Sequence, residues 1–319
     1  MKRVYLVFLL VLVTLFITSC GQNIGAGETP GDTSAALREV QSGTQGVEID
    51  ILPNFPPNLL YDQDELIALV DVKNKGNFDL GPQDCFIHVT GFDQNIITGP
   101  FSNPRSCSDG VEDLEGKTVY NLQGGFNQLE FASTNIILDE DVFEYNPTLN
   151  FMSCYKYETK ASPQVCVDSG FYGVAPEQKI CKPASVGLGG GQGAPVSVTR
   201  VGVTMVGSKA IFEIDIANSG SGKVLAPGTD IRRCGDTSAF RHNDFDRVEY
   251  NVRLVGGSST ICKPSDSIVR LVNGRGKIIC TSQIDATSAF ETPLIVELGY
   301  NYMDSEQRRV KIIRTPGTD

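Results

Sequence analysis

Residues 147–167, PTLNFMSCYKYETKASPQVCV, return near the C-terminus as residues 293–312, PLIVELGYNYMDSEQRRVKI. Tyr155 and Tyr157 align with Tyr300 and Tyr302 at an offset of 145 residues, and Val165 and Val167 align with Val310 and Ile312 at about the same offset. Each copy reads as a strand that enters a polar tip and returns through an apolar strand. If Lys160 forms the tip of the first hairpin, Cys154 faces Cys166 across the ladder. Strand alternation then puts Tyr155, Val165 and Val167 on one face and the two cysteines on the other. Opposed residues bring their Cβ atoms within bridging range, so this register predicts a Cys154–Cys166 disulfide on the outer face.

A second landmark repeats at nearly the same spacing. The apolar run 66–72 ends in Asn74-Lys75-Gly76, and the run 211–216 ends in Asn218-Ser219-Gly220; Asp71 and Asp215 fall in register. Between the landmarks, CFIHVTG at residues 85–91 corresponds to residues 248–256. Residues 127–131 extend the first sheet, and residues 278–280 partner them in the second copy. Two landmarks at one offset predict tandem homologous units. Val, Ile, Thr, Tyr and Phe fall in short alternating runs broken by Gly, Pro, Asn and Asp, which is how an all-β chain reads. About seven strands per unit predict two tandem immunoglobulin-like β-sandwich domains, at residues 47–183 and 196–319. The Gly-rich residues 184–195 join them as a flexible linker. The first domain also holds a long insertion, residues 92–125, rich in Asn, Pro, Gly and acidic residues, which reads as surface loop.

The strand leading into Asn-x-Gly, the Gly91-Phe92-Asp93 after the next strand and the Cys154-Tyr155-Lys156-Tyr157 stretch resemble immunoglobulin-like domains of the cell-adhesion-related type called CARDB. That resemblance, with the N-terminal signal described next, implies a surface lipoprotein of archaeal or bacterial type. It implies no catalytic residues.

Lys2 and Arg3, an apolar run over residues 4–17 and then Thr18, Ser19 and Cys20 form a secretory signal. Ile17-Thr18-Ser19-Cys20 resembles a lipobox, so residues 1–19 are expected to be a signal peptide and Cys20 the lipidated anchor. The alternative, an uncleaved anchor, has an apolar run that is short against the roughly 20 residues of a membrane span. Residues 20–46, poor in large apolar side chains, then read as a flexible tether.

Setting Cys20 aside leaves eight cysteines, an even number that in an exported chain implies disulfides. Beside Cys154–Cys166, spacing suggests Cys85–Cys107 and Cys262–Cys280, leaving Cys181 and Cys234 to join the domains. The repeat offers a rival scheme in which Cys85 and Cys107 correspond to Cys234 and Cys262, leaving Cys181 for Cys280. Spacing leaves the choice open. No C-x-x-C pair exists to favour zinc.

The sequence holds no G-x-S-x-G, H-E-x-x-H or G-x-x-x-x-G-K-[ST] motif, and no catalytic constellation is expected. His88 and His242 are the two histidines, and the alternation of Ile87 and Val89 assigns His88 to a solvated sheet face. The carboxylates Asp139, Glu140, Asp141 and Glu144, with a second group at Asp244, Asp246 and Glu249, are candidates for calcium, which takes six to eight oxygens; otherwise no cofactor is expected. Against 38 Asp and Glu stand 27 Lys and Arg, a net charge of −11, or −13 once Lys2 and Arg3 leave with the signal. Such a chain is a poor partner for nucleic acid. The function expected is a non-enzymatic, lipid-anchored cell-surface protein that serves adhesion, envelope structure or partner binding, with a carbohydrate-binding accessory module as the alternative. Its binding residues would lie in the insertion, at Ser108, Asp109, Glu112 and Asp113.

Overall fold

The computed structural model describes residues 33–170, 179–236, 238–257 and 259–316. The fold is all-β, with one α-helix among the described residues, α1 (Thr33–Val40). The first half of the chain carries β1 (Val47–Ile51), β2 (Leu59–Tyr61), β3 (Ile67–Asn74), β4 (Cys85–Thr90), β5 (Ile97–Thr98), β6 (Arg105–Ser106), β7 (Phe126–Ala132), β8 (Asn135–Ile136), β9 (Glu144–Tyr145), β10 (Thr148–Ala161) and β11 (Gln164–Val167). The second carries β12 (Val186–Gly187), β13 (Val196–Val206), β14 (Lys209–Asn218), β15 (Lys223–Leu225), β16 (Arg247–Leu254), β17 (Thr260–Lys263), β18 (Ile268–Arg270), β19 (Arg275–Gln283), β20 (Phe290–Arg309) and β21 (Lys311–Ile313).

The stretches read as hairpins are instead two long strands paired with each other. Thr148 faces Arg309 and Ala161 faces Val296, and the same register continues through β11 to Val167 opposite Phe290. The polar interruption is not a tip. Pro163 has no N–H to give the ladder, so the strand lapses at Ser162 and Pro163 and resumes on the same line; Leu294 still donates to the Pro163 carbonyl at 3.0 Å. Cys154 and Cys166 therefore lie twelve residues apart along one extended line, roughly 40 Å at strand rise. They cannot bridge.

On either side of this central pair, β4 and β6 flank β10 while β16 and β18 flank β20, giving the order β18-β16-β20-β10-β4-β6, with β15 pairing the far limb of β20. The sheet β1-β3-β7 packs on the inner face of the first half and β12-β13-β14-β19-β17 on that of the second; Phe131 of β7 meets Phe151 of β10 edge to face at 6.0 Å. The repeat landmarks hold: β3 with β7 corresponds to β14 with β19, and β4 to β16.

The halves also exchange strand ends. Along residues 296–309 β20 pairs with the first half's β10, and β21 then slots between β2 and β9 with Ile312 fully buried. One hydrophobic cluster runs through both halves. Nor are the connecting segments loose. In the Gly-rich stretch Gln192 and Ala194 are buried, β12 pairs with β13, and the Gly193 carbonyl accepts from the Tyr157 hydroxyl at 3.0 Å. Of the expected tether, residues 33–46 form α1 and a turn whose Gly43 pairs with Gly191. The insertion is likewise anchored. Ile97, Phe101 and Leu114 are buried in the core of the first half, and single apolar anchors of this kind, spaced among polar residues, leave no periodic signal.

Four disulfides staple the body. Cys85–Cys107 and Cys262–Cys280 join neighbouring strands as spacing suggests. The other two are Cys166–Cys181 and Cys154–Cys234. Cys234 thus does link the halves, but to Cys154. A loop of the second half, residues 226–246, folds over the outer face of β4 and β10 and packs Ile231 and Cys234 on Phe86 and Cys154. Four disulfides fit an oxidising compartment outside the cytoplasm. Among the described residues no helix is long and apolar enough to cross a membrane. Cys20 and the signal lie outside the described residues.

A candidate binding cleft where the halves join

Register places Tyr155 opposite Tyr302 and Tyr157 opposite Tyr300, and all four rings are buried on the inner face. Their centroids stand 5.6 to 6.4 Å apart around the ring of contacts, mostly tilted or edge to face. Each such ring withdraws roughly 150–250 Å² from water, so the quartet is the apolar hinge of the molecule. Each hydroxyl then needs a partner, and the two repeats find them alike. The Phe78 amide donates to Tyr157 and the Gly222 amide to Tyr302, at 3.4 and 2.8 Å, in turns that Asn74 and Asn218 pin through the Phe78 and Gly222 carbonyls. This explains the glycine of Asn-x-Gly. A Cβ on Gly220 would stand 2.5 Å from the Tyr302 hydroxyl, and one on Gly76 would overlap that of Tyr157.

Tyr300 reaches β13 and takes the Val196 amide at 3.1 Å, while the Tyr155 hydroxyl lies against Gly46 at the start of β1. Burial pushes the hydroxyls of Tyr155 and Tyr300 well above their usual range, raises Tyr157 and lifts Tyr302 to about 12. These are neutral, structural groups.

Over this quartet the halves leave a cleft of about 320 Å³. One wall is β1 with residues 44–46 before it, and the other is the far limb of β20; Tyr155 and Tyr302 contribute to the floor, and Ser221 stands at the rim. Its charged side chains are Glu48, Asp304 and Glu306, with no base among the lining residues. Asp304 accepts from the Ser221 hydroxyl at 2.5 Å. Burial, reinforced by the charge of Asp50, raises the proton affinity of Glu306 against the opposing pull of the Ile51 amide and Arg308. A half-enclosed site at a junction, apolar below and convergently polar at its walls, is the usual form of a ligand site. It gathers three carboxylates and the Ser221 hydroxyl over an apolar floor, groups that can hold a cationic or hydrogen-bonding ligand.

The expected sites lie elsewhere and do not converge. Within the insertion Ser108 is buried, Asp109 pairs with Arg105 at 2.6 Å, and Glu112 and Asp113 are exposed. Asp139, Glu140, Asp141 and Glu144 are exposed on the turn into β9; Glu144 pairs with Lys311 at 2.7 Å, and Arg314 holds the main chain of Asp139 and Glu140. Among the described residues no group of three or more His, Cys, Asp or Glu is placed to hold a metal. His242 is exposed, 3.0 Å from Arg270. His88, assigned to solvent by alternation, is buried instead, because the 226–246 loop covers that face and the Ile231 carbonyl sits 3.0 Å from its Nε2.

The acids of the cleft escape a motif search because none belongs to one. A signal exists in the repeat itself: at the 145-residue offset Asp304 stands where the first copy has Thr159, an acid against a neutral hydroxyl.

No family model matches the chain, and no curated protein matches it significantly. Among solved structures it aligns with the secreted serine protease VesC from Vibrio cholerae at 11% identity and a TM-score of 0.20, over 87% of this chain and about half, 52%, of that one. A likeness this slight carries no argument about activity.

Proposed function

We propose that this chain is a non-enzymatic, lipid-anchored protein of the extracytoplasmic surface that binds a partner, in adhesion or in the architecture of the envelope. The observation that carries the reading is the cleft: a concave, acidic, partly enclosed site set into a body that exchanged strands and four disulfides hold rigid. Recognition on a rigid scaffold needs no loop to order on binding, which lowers its entropic cost. The resemblance of the Tyr-x-Tyr and Asn-x-Gly stretches to CARDB-type domains is part of this reading. Anchoring through Cys20 belongs to the same reading, and a Cys20→Ala chain is expected to stay unprocessed or to leave the membrane fraction.

A carbohydrate-binding role has one observation on its side, Tyr120, 98% exposed on the insertion. The quartet cannot serve as a stacking platform, since its rings are buried. The test is a pull-down from cell-surface extract with the full chain, run beside a glycan array. A retained protein partner and an unresponsive array are expected; specific glycan capture, or nothing retained by either, would overturn the reading.

A further inference from the structure

In an antiparallel pair, alternate residues turn their N–H and C=O away from the partner strand. On β1 the bonds from Lys75 to the Gly46 carbonyl and from Leu52 to the Leu69 carbonyl fix the phase: residues 46, 48, 50 and 52 bond β3, and Val47, Ile49 and Ile51 turn outward. On β13, Ser219 donates to Pro195, so Val196 and Val198 turn outward in the same way.

The second half closes this edge with its own chain. Val196 gives its amide to Tyr300 and its carbonyl accepts from Thr159 at 2.6 Å; Val198 is clamped at both groups by the Gln192 amide, at 2.7 and 3.1 Å; Leu188 donates to Thr199, and β12 pairs beyond. In the first half the corresponding places hold different residues. Gly43, four residues before Val47 as Gln192 is before Val196, has no side chain to clamp Ile49. Asp304 stands for Thr159, and an ionised carboxylate cannot donate to the Val47 carbonyl. Among the described residues the clamp that Val198 finds in Gln192 has no counterpart at Ile49. At the far end the edge is shut, where Arg308 donates to the Ile51 carbonyl at 2.9 Å. What stays open is the stretch that lines the cleft.

We propose that the cleft receives an extended, basic peptide segment of the partner, added as a strand to the free edge of β1 at Ile49, with its cationic side chains against Glu48, Asp304 and Glu306. Main-chain pairing at an open edge gives such a mode its affinity and the flanking pockets its selectivity. The covered edge of β13 is the internal example of what such an edge accepts: an extended segment and a bidentate amide. Three carboxylates with no base among the lining residues select the sign of the partner's charge. This proposal rests on the partner-binding reading but is narrower than it.

The experiment uses the full chain and three soluble decapeptide probes: alternating Lys and Val, alternating Glu and Val, and the Lys-Val peptide N-methylated at alternate residues. The Lys-Val peptide is expected to bind, the Glu-Val peptide to show no binding, and N-methylation to weaken binding at least tenfold, because it removes the donors that pair with β1. Ile49→Pro removes one outward N–H without touching the β3 ladder and should cost a similar factor. Asp304→Thr should lower affinity for the Lys-Val probe severalfold; both variants are accepted only if their melting temperatures stay near that of the parent. Lys-Val binding that ignores N-methylation and Ile49→Pro would reduce the effect to charge attraction and overturn the proposal, as would no binding at all. A partner that is pulled down equally by the parent and by Ile49→Pro would overturn this inference while leaving the partner-binding function standing; no partner with either would remove the function itself.

Discussion

In the first half of the molecule the edge of β1 opens on a cleft and the outer face of β4 lies under a loop; in the second half the edge of β13 is plugged by Gln192 and β12, and the outer face of β16 lies open. The contrast is sharp at aligned positions. His88 of β4 is buried beneath Ile231, whereas Asn251, its counterpart on β16, is exposed and bonds Glu297 at 3.0 Å. One plan, used twice, has left one face and one edge free, on opposite halves. The asymmetry comes from connections rather than strands: the covering loop, residues 226–246, and the Gly-rich stretch both belong to the second half or its approach. Duplication supplies the scaffold, and divergence of the connecting segments decides where it can bind.

The severest way to break the comparison is to separate the halves. A chain starting at Pro195 keeps its own copy of each landmark, yet its β20 would lose β10 along residues 296–309, leaving residues 304–309 with no strand partner, and Ile312 would lose β2 and β9. It is expected to show no cooperative melt under oxidising conditions. A β-type circular dichroism spectrum with a sharp transition would prove the halves separable. A smaller perturbation leaves the strands and removes the staple. Replacing Cys154 and Cys234 together by Ala opens a loop of 80 residues, for which chain entropy sets about 4.5 kcal/mol, within a usual range of about 0–5. Calorimetry of that variant measures how far the covering loop depends on its bridge.

The repeat and the all-β class were legible because Asn-x-Gly and Tyr-x-Tyr are constrained against each other: Gly76 and Gly220 must lack a side chain where the Tyr157 and Tyr302 hydroxyls arrive. The pairing of the repeats was not legible. A continuous strand and the arm of a hairpin have the same alternation, so Ser162-Pro163 could be a tip or a lapse, and only the partner 145 residues away decides. The same blindness misplaced Cys154 and His88. Period two tells that they share the outer face with Met152, and nothing in it reports that a loop from the other half will cover that face. In the site, Glu48 and Asp304 look like any surface acids until the edge beside them is known to be free.

The tyrosines sharpen the comparison at the level of single hydrogen bonds. Tyr300 serves two buried partners, Thr159 at 2.9 Å and the Val196 amide at 3.1 Å, whereas the Tyr155 hydroxyl lies beside Gly46 on the floor of the cleft. Removing the Tyr300 hydroxyl strands a buried donor, at a cost of about 1–3 kcal/mol, while water entering the cleft can solvate the polar groups around Tyr155, leaving about 0.5–1.5 kcal/mol for Tyr155→Phe. Chemical denaturation of the two variants should show that order. Equal losses would mean that the first half's edge is as well sealed as the second's.

The smallest effect concerns the covered face. Burial lowers the proton affinity of His88 from its ordinary value of 6.5, opposed by the Ile231 carbonyl and by the charge of Asp230, the charged group that faces it. Its folded pKa thus lies below its unfolded one. A group shifted in that direction contributes stability that is complete above the unfolded value and drains away as the pH falls through it toward the folded value. The full chain should therefore lose stability through this residue as the pH falls from 7.5 to 5.5, and His88→Gln, which keeps a donor toward Ile231 but cannot titrate, should remove that share of the slope. If the covering loop opens freely, His88 becomes as solvated as Asn251 and the two proteins melt in parallel across the range. Parallel curves would therefore unseat the idea that the two outer faces differ in solution, and a flatter curve for His88→Gln would fix the loop in place over the first half.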